Sequence, residues 1–223
     1  MFYLLIIMIP GLLAAALTKS TFAKYSRIGA QRGLTGAEAA QAMLRRAGVS
    51  GCRIEPHRGF LSDHYDPRAK ALRLSEGVFY GQSLSSIGVA CHEAGHAIQD
   101  AENYGPLGLR SGLVPVTQVC GQTWIFLIMA GMLLHVPGLY MVGLLMLAVS
   151  VLFAIVTLPV EWDASRRAKL AMADAGFLVG EENRGAAKVL NAAFLTYLAA
   201  AVTSMFMLLY YALPLLGGGR SND

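Results

Sequence analysis

Charge is scarce in this chain. Asp, Glu, Lys and Arg make up 14% of its 223 residues, hydrophobic residues make up 55%, and mean hydropathy is +0.51. An ordinary soluble domain carries about 25% charged residues, so a water-exposed globular fold is excluded and a membrane protein is expected. Cysteine is scarce too. Cys52, Cys91 and Cys120 form an odd set without CxxC spacing, which argues against a disulfide scaffold and fits a reducing compartment. Cys91 precedes a histidine, yet a thiol on one helical face reads as a small packing residue rather than a nucleophile. No nucleic-acid-binding motif is present. The net charge of +4 comes from bases interspersed with acids, and membrane sidedness explains it better than a nucleic-acid partner.

Against this background stands His92-Glu93-Ala94-Gly95-His96. At about 3.6 residues per turn, the two imidazoles leave one helical face a turn apart and both reach one metal ion. Glu93, about 100° round from His92, is held beside that ion without having to ligate it, as suits a base that takes a proton from zinc-bound water. Composition alone would produce the pattern in about four of a thousand such chains. The context is helical: Gln82 to Ser86 offers N-cap residues, and no proline interrupts Leu84 to Asn103.

Four stretches are apolar enough to cross a bilayer: Met1 to Leu17, Leu113 to Leu134, Pro137 to Pro159 and Val189 to Leu216. The first has no Lys or Arg before it and several after it, the reverse of a secretory leader, so it reads as a retained anchor. Of the 18 Lys and Arg residues, 12 fall in 18–112, five in 160–188, none in the hairpin turn around His135, and one, Arg220, near the C-terminus. The positive-inside rule then puts both termini outside and the His-Glu-x-x-His helix in the cytoplasm. The expected organisation is an anchor (1–18), a cytoplasmic domain (19–112), a membrane hairpin (113–159), a cytoplasmic helix (160–188), a fourth span (189–216) and a tail (217–223).

Within 19–112 the signals are mixed α and β. Thr35-Gly36-Ala37-Glu38 is a capping box, followed by an apolar stripe of Ala39, Ala40, Met43, Leu44 and Ala47 that ends at Gly48. Cys52 to Glu55 and Ala71 to Ser75 read as strands joined through the turn-rich Ser62 to Pro67, pairing as a ribbon against the zinc helix. A free strand edge there would hold an extended peptide through its backbone.

A hydrolytic zinc site takes three protein ligands and keeps one position for water, so His92 and His96 need a partner. Glu161 stands out: it follows the third span directly, where a carboxylate is costly unless paired or metal-bound. His64 is the alternative ligand, or a donor to a developing oxyanion, although a histidine in an Asp-rich turn more often satisfies that turn. His57 and His135 have weaker claims. Arg166 and Tyr80 are candidates for charge stabilisation that spacing alone does not assign.

His92 to His96, taken with Glu161-Trp162-Asp163-Ala164-Ser165-Arg166-Arg167-Ala168, Leu61 to Pro67 and Leu72 to Ser75, resembles the YugP-like family of membrane zinc metallopeptidases. More distantly it resembles the integral-membrane gluzincins of the heat-shock and CAAX-processing kind. The resemblance implies Zn2+ as cofactor, Glu161 as third ligand, and a Glu-x-x-Ala-Asp pattern whose Asp supports a ligand from outside. This chain has Ser165 in that last place, which leaves Asp163 as the substitute. The expected fold is a predominantly α membrane protein, with four transmembrane helices and a small cytoplasmic α+β zincin-like metallopeptidase domain. It would act on peptides or proteins, membrane proteins among them. Two rival readings stand beside it: a silent zinc-binding membrane scaffold, and a site-2-type intramembrane protease. The second carries its motif inside a span, whereas Gln99, Asp100, Glu102 and Asn103 follow His96 closely here.

Overall fold

In the computed structural model, residues 2–217 are described; the tail expected from 217 lies outside them apart from Gly217 itself. The element order is α1 (Phe2–Tyr25), α2 (Gly36–Arg46), β1 (Arg53–His57), β2 (His64–Asp66), β3 (Ala71–Ser75), α3 (Glu76–Phe79), α4 (Leu84–Ala101), α5 (Gly105–Leu133), α6 (Pro137–Asp174) and α7 (Glu181–Gly217).

Among the described residues, four helices are long and apolar enough to cross a membrane: α1 from Ile6, α5, α6 and α7. Helices α5 and α6 form the hairpin, α6 also packs on α7, and α7 packs on α1. Their outer faces expose Leu12, Phe126, Met129, Leu145, Leu152 and Leu209, the pattern of a surface whose solvent is hydrocarbon. Gly143 lets the hairpin close, because a Cβ there would sit 2.8 Å from the Ile128 backbone nitrogen. That small residue therefore serves packing inside the chain. Of the segment expected as one helix over 160–188, the part up to Asp174 continues α6 without a break and the part from Glu181 opens α7.

The capping box forms as expected. The Thr35 hydroxyl accepts from the Glu38 N–H at 3.2 Å, and the Glu38 carboxylate accepts from the Thr35 N–H at 2.8 Å. The apolar face of α2 then packs on α4. The sheet differs from the expected two-strand ribbon. Its order is β1-β3-β2, with β1 parallel to β3 (Arg53 opposite Ala71) and β2 antiparallel to β3 (Tyr65 opposite Leu72). The extra strand lies inside the stretch read as a turn. Asp63 accepts from the Ser75 N–H at 2.7 Å, and Asp66 accepts from the Arg68 and Ala69 N–H groups at 2.9 and 3.1 Å. Those side chains fold the loop back on itself, so that three residues pair with β3 and the long connection becomes a crossover between parallel strands.

Leu72 and Leu74 of β3 are fully buried and join Ile87, Ala90, Cys91 and Ala94 of α4 with Ala168, Met172 and Leu178 from α6 and the turn after it. One core thus contains the sheet, α4 and the inner end of α6. That sharing sets the geometry of the site.

Candidate metal centre

Helix α4 begins where its sequence says it should: Ser83 is the N-cap, its hydroxyl accepting from the Ser86 N–H at 3.1 Å. The helix is almost wholly buried, and its small residues let neighbours approach closely. Gly95 matters most, because a Cβ at this position would lie 2.8 Å from the Ala164 carbonyl oxygen of α6. Only a glycine permits this crossing, which brings Glu161, one turn before Ala164, over the two histidines.

The His92 and His96 rings stand 4.8 Å apart, nearly perpendicular at 80°. Glu161, 1% exposed, places Oε2 at 3.1 Å from His92 Nε2 and 3.6 Å from His96 Nε2. One ligand atom from each of the three residues can be chosen so that all lie within 4.8 Å of one another. Two atoms bonded to one tetrahedral zinc at about 2.0–2.1 Å lie about 3.3 Å apart, so both carboxylate–imidazole separations suit that ion. The other ring nitrogens are already engaged. His92 Nδ1 faces Ser165 Oγ at 3.1 Å, and His96 Nδ1 faces Gln99 Oε1 at 2.9 Å. The Gln99 oxygen accepts from His96 Nδ1–H, since the Gln99 amide nitrogen donates elsewhere, and the Ser165 hydroxyl can accept likewise from His92 Nδ1–H; that tautomer leaves both Nε2 lone pairs free for a metal.

Around this cluster lies a second layer of bonds. Gln99 is fully buried; its amide donates to the Val160 carbonyl at 2.9 Å and to Asp163 Oδ2 at 3.0 Å. Asp163 in turn accepts from Arg166 at 3.1 Å and from Arg167 at 2.6 Å, and Arg167 also pairs with Glu102 at 2.8 Å. Asp163 therefore reaches His96 only through Gln99, while Ser165 meets His92 directly. Arg166 is more than half exposed and touches Asp163 rather than the three-residue cluster. The outer oxygen of Glu161, Oε1, is held by Arg110 of α5 at 3.3 Å. One carboxylate oxygen thus faces the imidazoles and the other a guanidinium.

Burial resists protonation of His96, but the Glu161 hydrogen bond, the nearby Glu93 and Glu161 charges and the Gln99 hydrogen bond together outweigh it and set the imidazole above its ordinary value. The Cys91 thiol, wholly buried, is pushed up to about 12 by desolvation, which makes it a packing group and not a nucleophile. Burial and the hydrogen bond to Asp100 hold the Tyr65 hydroxyl well above the usual phenol range. Asp100 also pairs with Lys70, so the strands are tied to the far end of α4.

A cleft of about 550 Å3 opens on this cluster. Glu93, His96, Glu161 and Tyr197 line one part of it, β2 another, and α5 a third. Glu93 is itself 8% exposed. His64 sits on the rim with its Nδ1 at 2.8 Å from the Ser62 carbonyl and its ring against His57, so it satisfies its own turn and is not one of the three clustered residues. The positioning residues Arg110 and Gln99, and Tyr197 at the cleft wall, were not found from the sequence. Two of them left a signal. Arg110 and Glu161 are the last and first charges on either side of the charge-free interval 111–160, and Gln99 lies three residues after His96 on the same face.

Fold and site together define an apolar, multi-helix protein with a His/His/Glu group able to hold a metal ion beside a buried carboxylate. The chain belongs to the family described as "putative neutral zinc metallopeptidase", whose model matches residues 1–215. It is similar to the "putative membrane protease YugP" of Bacillus subtilis (strain 168), with 45% identity over 204 residues, covering 92% of this chain and 91% of the relative. No solved structure matches it.

Proposed function

We propose that this protein is an integral-membrane zinc metallopeptidase in which His92, His96 and Glu161 hold the ion and Glu93 is the general base. The observation that carries the reading is the sorting of nitrogens: both Nδ1 atoms are spent on Ser165 and Gln99, and both Nε2 atoms converge on one oxygen of Glu161. When bound, zinc supplies Lewis acidity, lowering the pKa of a coordinated water to about 7 and polarising a carbonyl.

The chain's own residues do the rest. Glu93, buried at the cleft wall, takes a proton from the attacking water and returns it to the leaving amine as the C–N bond breaks. Arg110 holds the outer oxygen of Glu161 and orients the carboxylate. The edge of β2 not paired with β3 borders the cleft and offers backbone groups to an extended peptide.

Helix α4 is not among the four helices long and apolar enough to cross a membrane, which speaks against a site-2-type arrangement. An open cleft beside Glu93 has no use in a silent scaffold. The distribution of Lys and Arg supports a cytoplasmic site. Alkaline phosphatase fused at Gly138 should be active and at Gly105 inactive; the reverse pattern would invert the orientation.

The decisive variant is Glu93→Gln. It should keep its zinc and lose turnover about 10²- to 10⁴-fold, measured on a quenched fluorescent peptide alongside metal analysis. Undiminished hydrolysis would refute the base assignment.

A further inference from the structure

The bilayer boundary of the hairpin can be placed from charge alone. Between Arg110 in α5 and Glu161 in α6 no Asp, Glu, Lys or Arg occurs, and these two flanking charges touch at 3.3 Å. A charge-free helical hairpin enters hydrocarbon just beyond its last charges. The metal-type cluster, which contains Glu161, therefore stands at the level of the membrane surface rather than out in the cytoplasm.

The cleft continues past that level. It is lined by Leu107, Arg110, Ser111, Val114, Pro115 and Gln118, positions at i, i+3/4, i+7/8 and i+11 that form one stripe of α5, about 16 Å long. Its outer end, beyond Arg110, lies in the apolar span. There the stripe is polar in two ways. Gln118 offers an amide, and Pro115, which lines the same cleft as Ser111, has no N–H to give the Ser111 carbonyl. In lipid, irregular or unsatisfied backbone is tolerated where it lines a polar path, and here the path leads to Glu93.

We propose, resting on the metallopeptidase reading, that the substrates are membrane-anchored polypeptides. Their chain leaves the bilayer along the α5 stripe and is cut within a few residues of the membrane surface. A soluble peptide fills only the part of the cleft between β2 and α4. A segment tethered to a span also occupies the Ser111 to Gln118 stretch, which supplies hydrogen-bonding groups where hydrocarbon supplies none.

The test uses a single-span protein whose extension carries four identical copies of one β-casein decapeptide, co-reconstituted with the full-length protein in liposomes, with the cuts mapped by mass spectrometry. The copy next to the bilayer should be cut at least tenfold more often than the fourth. A 20-residue Gly/Ser spacer inserted before the first copy should bring all four down to the level of the fourth. Even cutting of the four copies would overturn the proposal while leaving the peptidase reading intact. No cutting by the wild type, or equal cutting by the wild type and Glu93→Gln, would overturn both.

Binding gives a second readout that needs no turnover. A benzoylphenylalanine replacing Gln118 in the Glu93→Gln background should photo-crosslink the bilayer-proximal copy at least tenfold over the distal one. Equal labelling, or none, counts against the α5 path.

Discussion

The two halves of α6 obey the same physics with opposite patterns. From Pro137 to Pro159 the helix exposes Met141, Val142, Leu145, Leu152 and Ile155; from Val160 to Asp174 it buries Glu161, Asp163 and Ser165. In the first half apolar side chains face outward, as suits a helix long and apolar enough to cross a membrane. In the second half polar side chains face inward because α4 supplies partners for each: His92 and His96 for Glu161, Gln99 for Asp163, and His92 again for Ser165. A rule that hydrophobic means inside fails on the first half and its converse, that polar means outside, fails on the second, whereas a rule that each group must find a matching solvent or partner succeeds on both.

The sharpest way to break that comparison is to remove the residue at the turnover point. Glu161→Ala deletes a buried carboxylate that opposes two imidazoles and leaves Arg110 unpaired, so it should cost about 3–5 kcal/mol in detergent-solubilised unfolding and abolish stoichiometric zinc binding. Gly95→Ala tests the contact that brings the halves of the site together. Because its Cβ would collide with the Ala164 carbonyl, it should cost about 1–3 kcal/mol and shift the spacing of the cluster, read as a lower melting temperature and weaker zinc retention.

Gln99→Leu acts one bond further out. Removing the acceptor for His96 Nδ1 should weaken zinc affinity about 10- to 100-fold, measured by competition with a chelator, with membrane insertion unchanged. At the bottom of the scale, Leu152→Ala on the outward face of the first half should move detergent stability by no more than about 0.5 kcal/mol. A large loss there would mean that this face packs against protein instead of lipid.

How far the sequence foretold this depends on the range over which each feature is determined. The spans were legible because a helix in hydrocarbon must be long and charge-free, a property of consecutive residues; Leu113 to Leu134 fell largely inside α5 and Pro137 to Pro159 inside α6. The α2 cap and the start of α4 at Ser83 were legible for the same local reason. The His92/His96 pair was visible as helical spacing. The three-residue strand β2 was hidden, since Asp63, Asp66 and Pro67 signal a turn and only the pairing of Tyr65 with Leu72 makes part of it a strand. The supporting bonds were hidden more deeply. Nothing local says that Ser165 will meet His92 or that Asp163 will reach His96 through Gln99, because those contacts exist only once Gly95 has let α6 cross α4.

The most direct measurement is zinc K-edge X-ray absorption on the purified full-length protein and on Glu161→Ala. The wild type should show a shell of nitrogen and oxygen only, at about 2.0–2.2 Å, with multiple scattering from two imidazoles, and the variant should lose that site. Sulfur scattering at about 2.3 Å, or a spectrum indifferent to the loss of Glu161, would contradict the assignment.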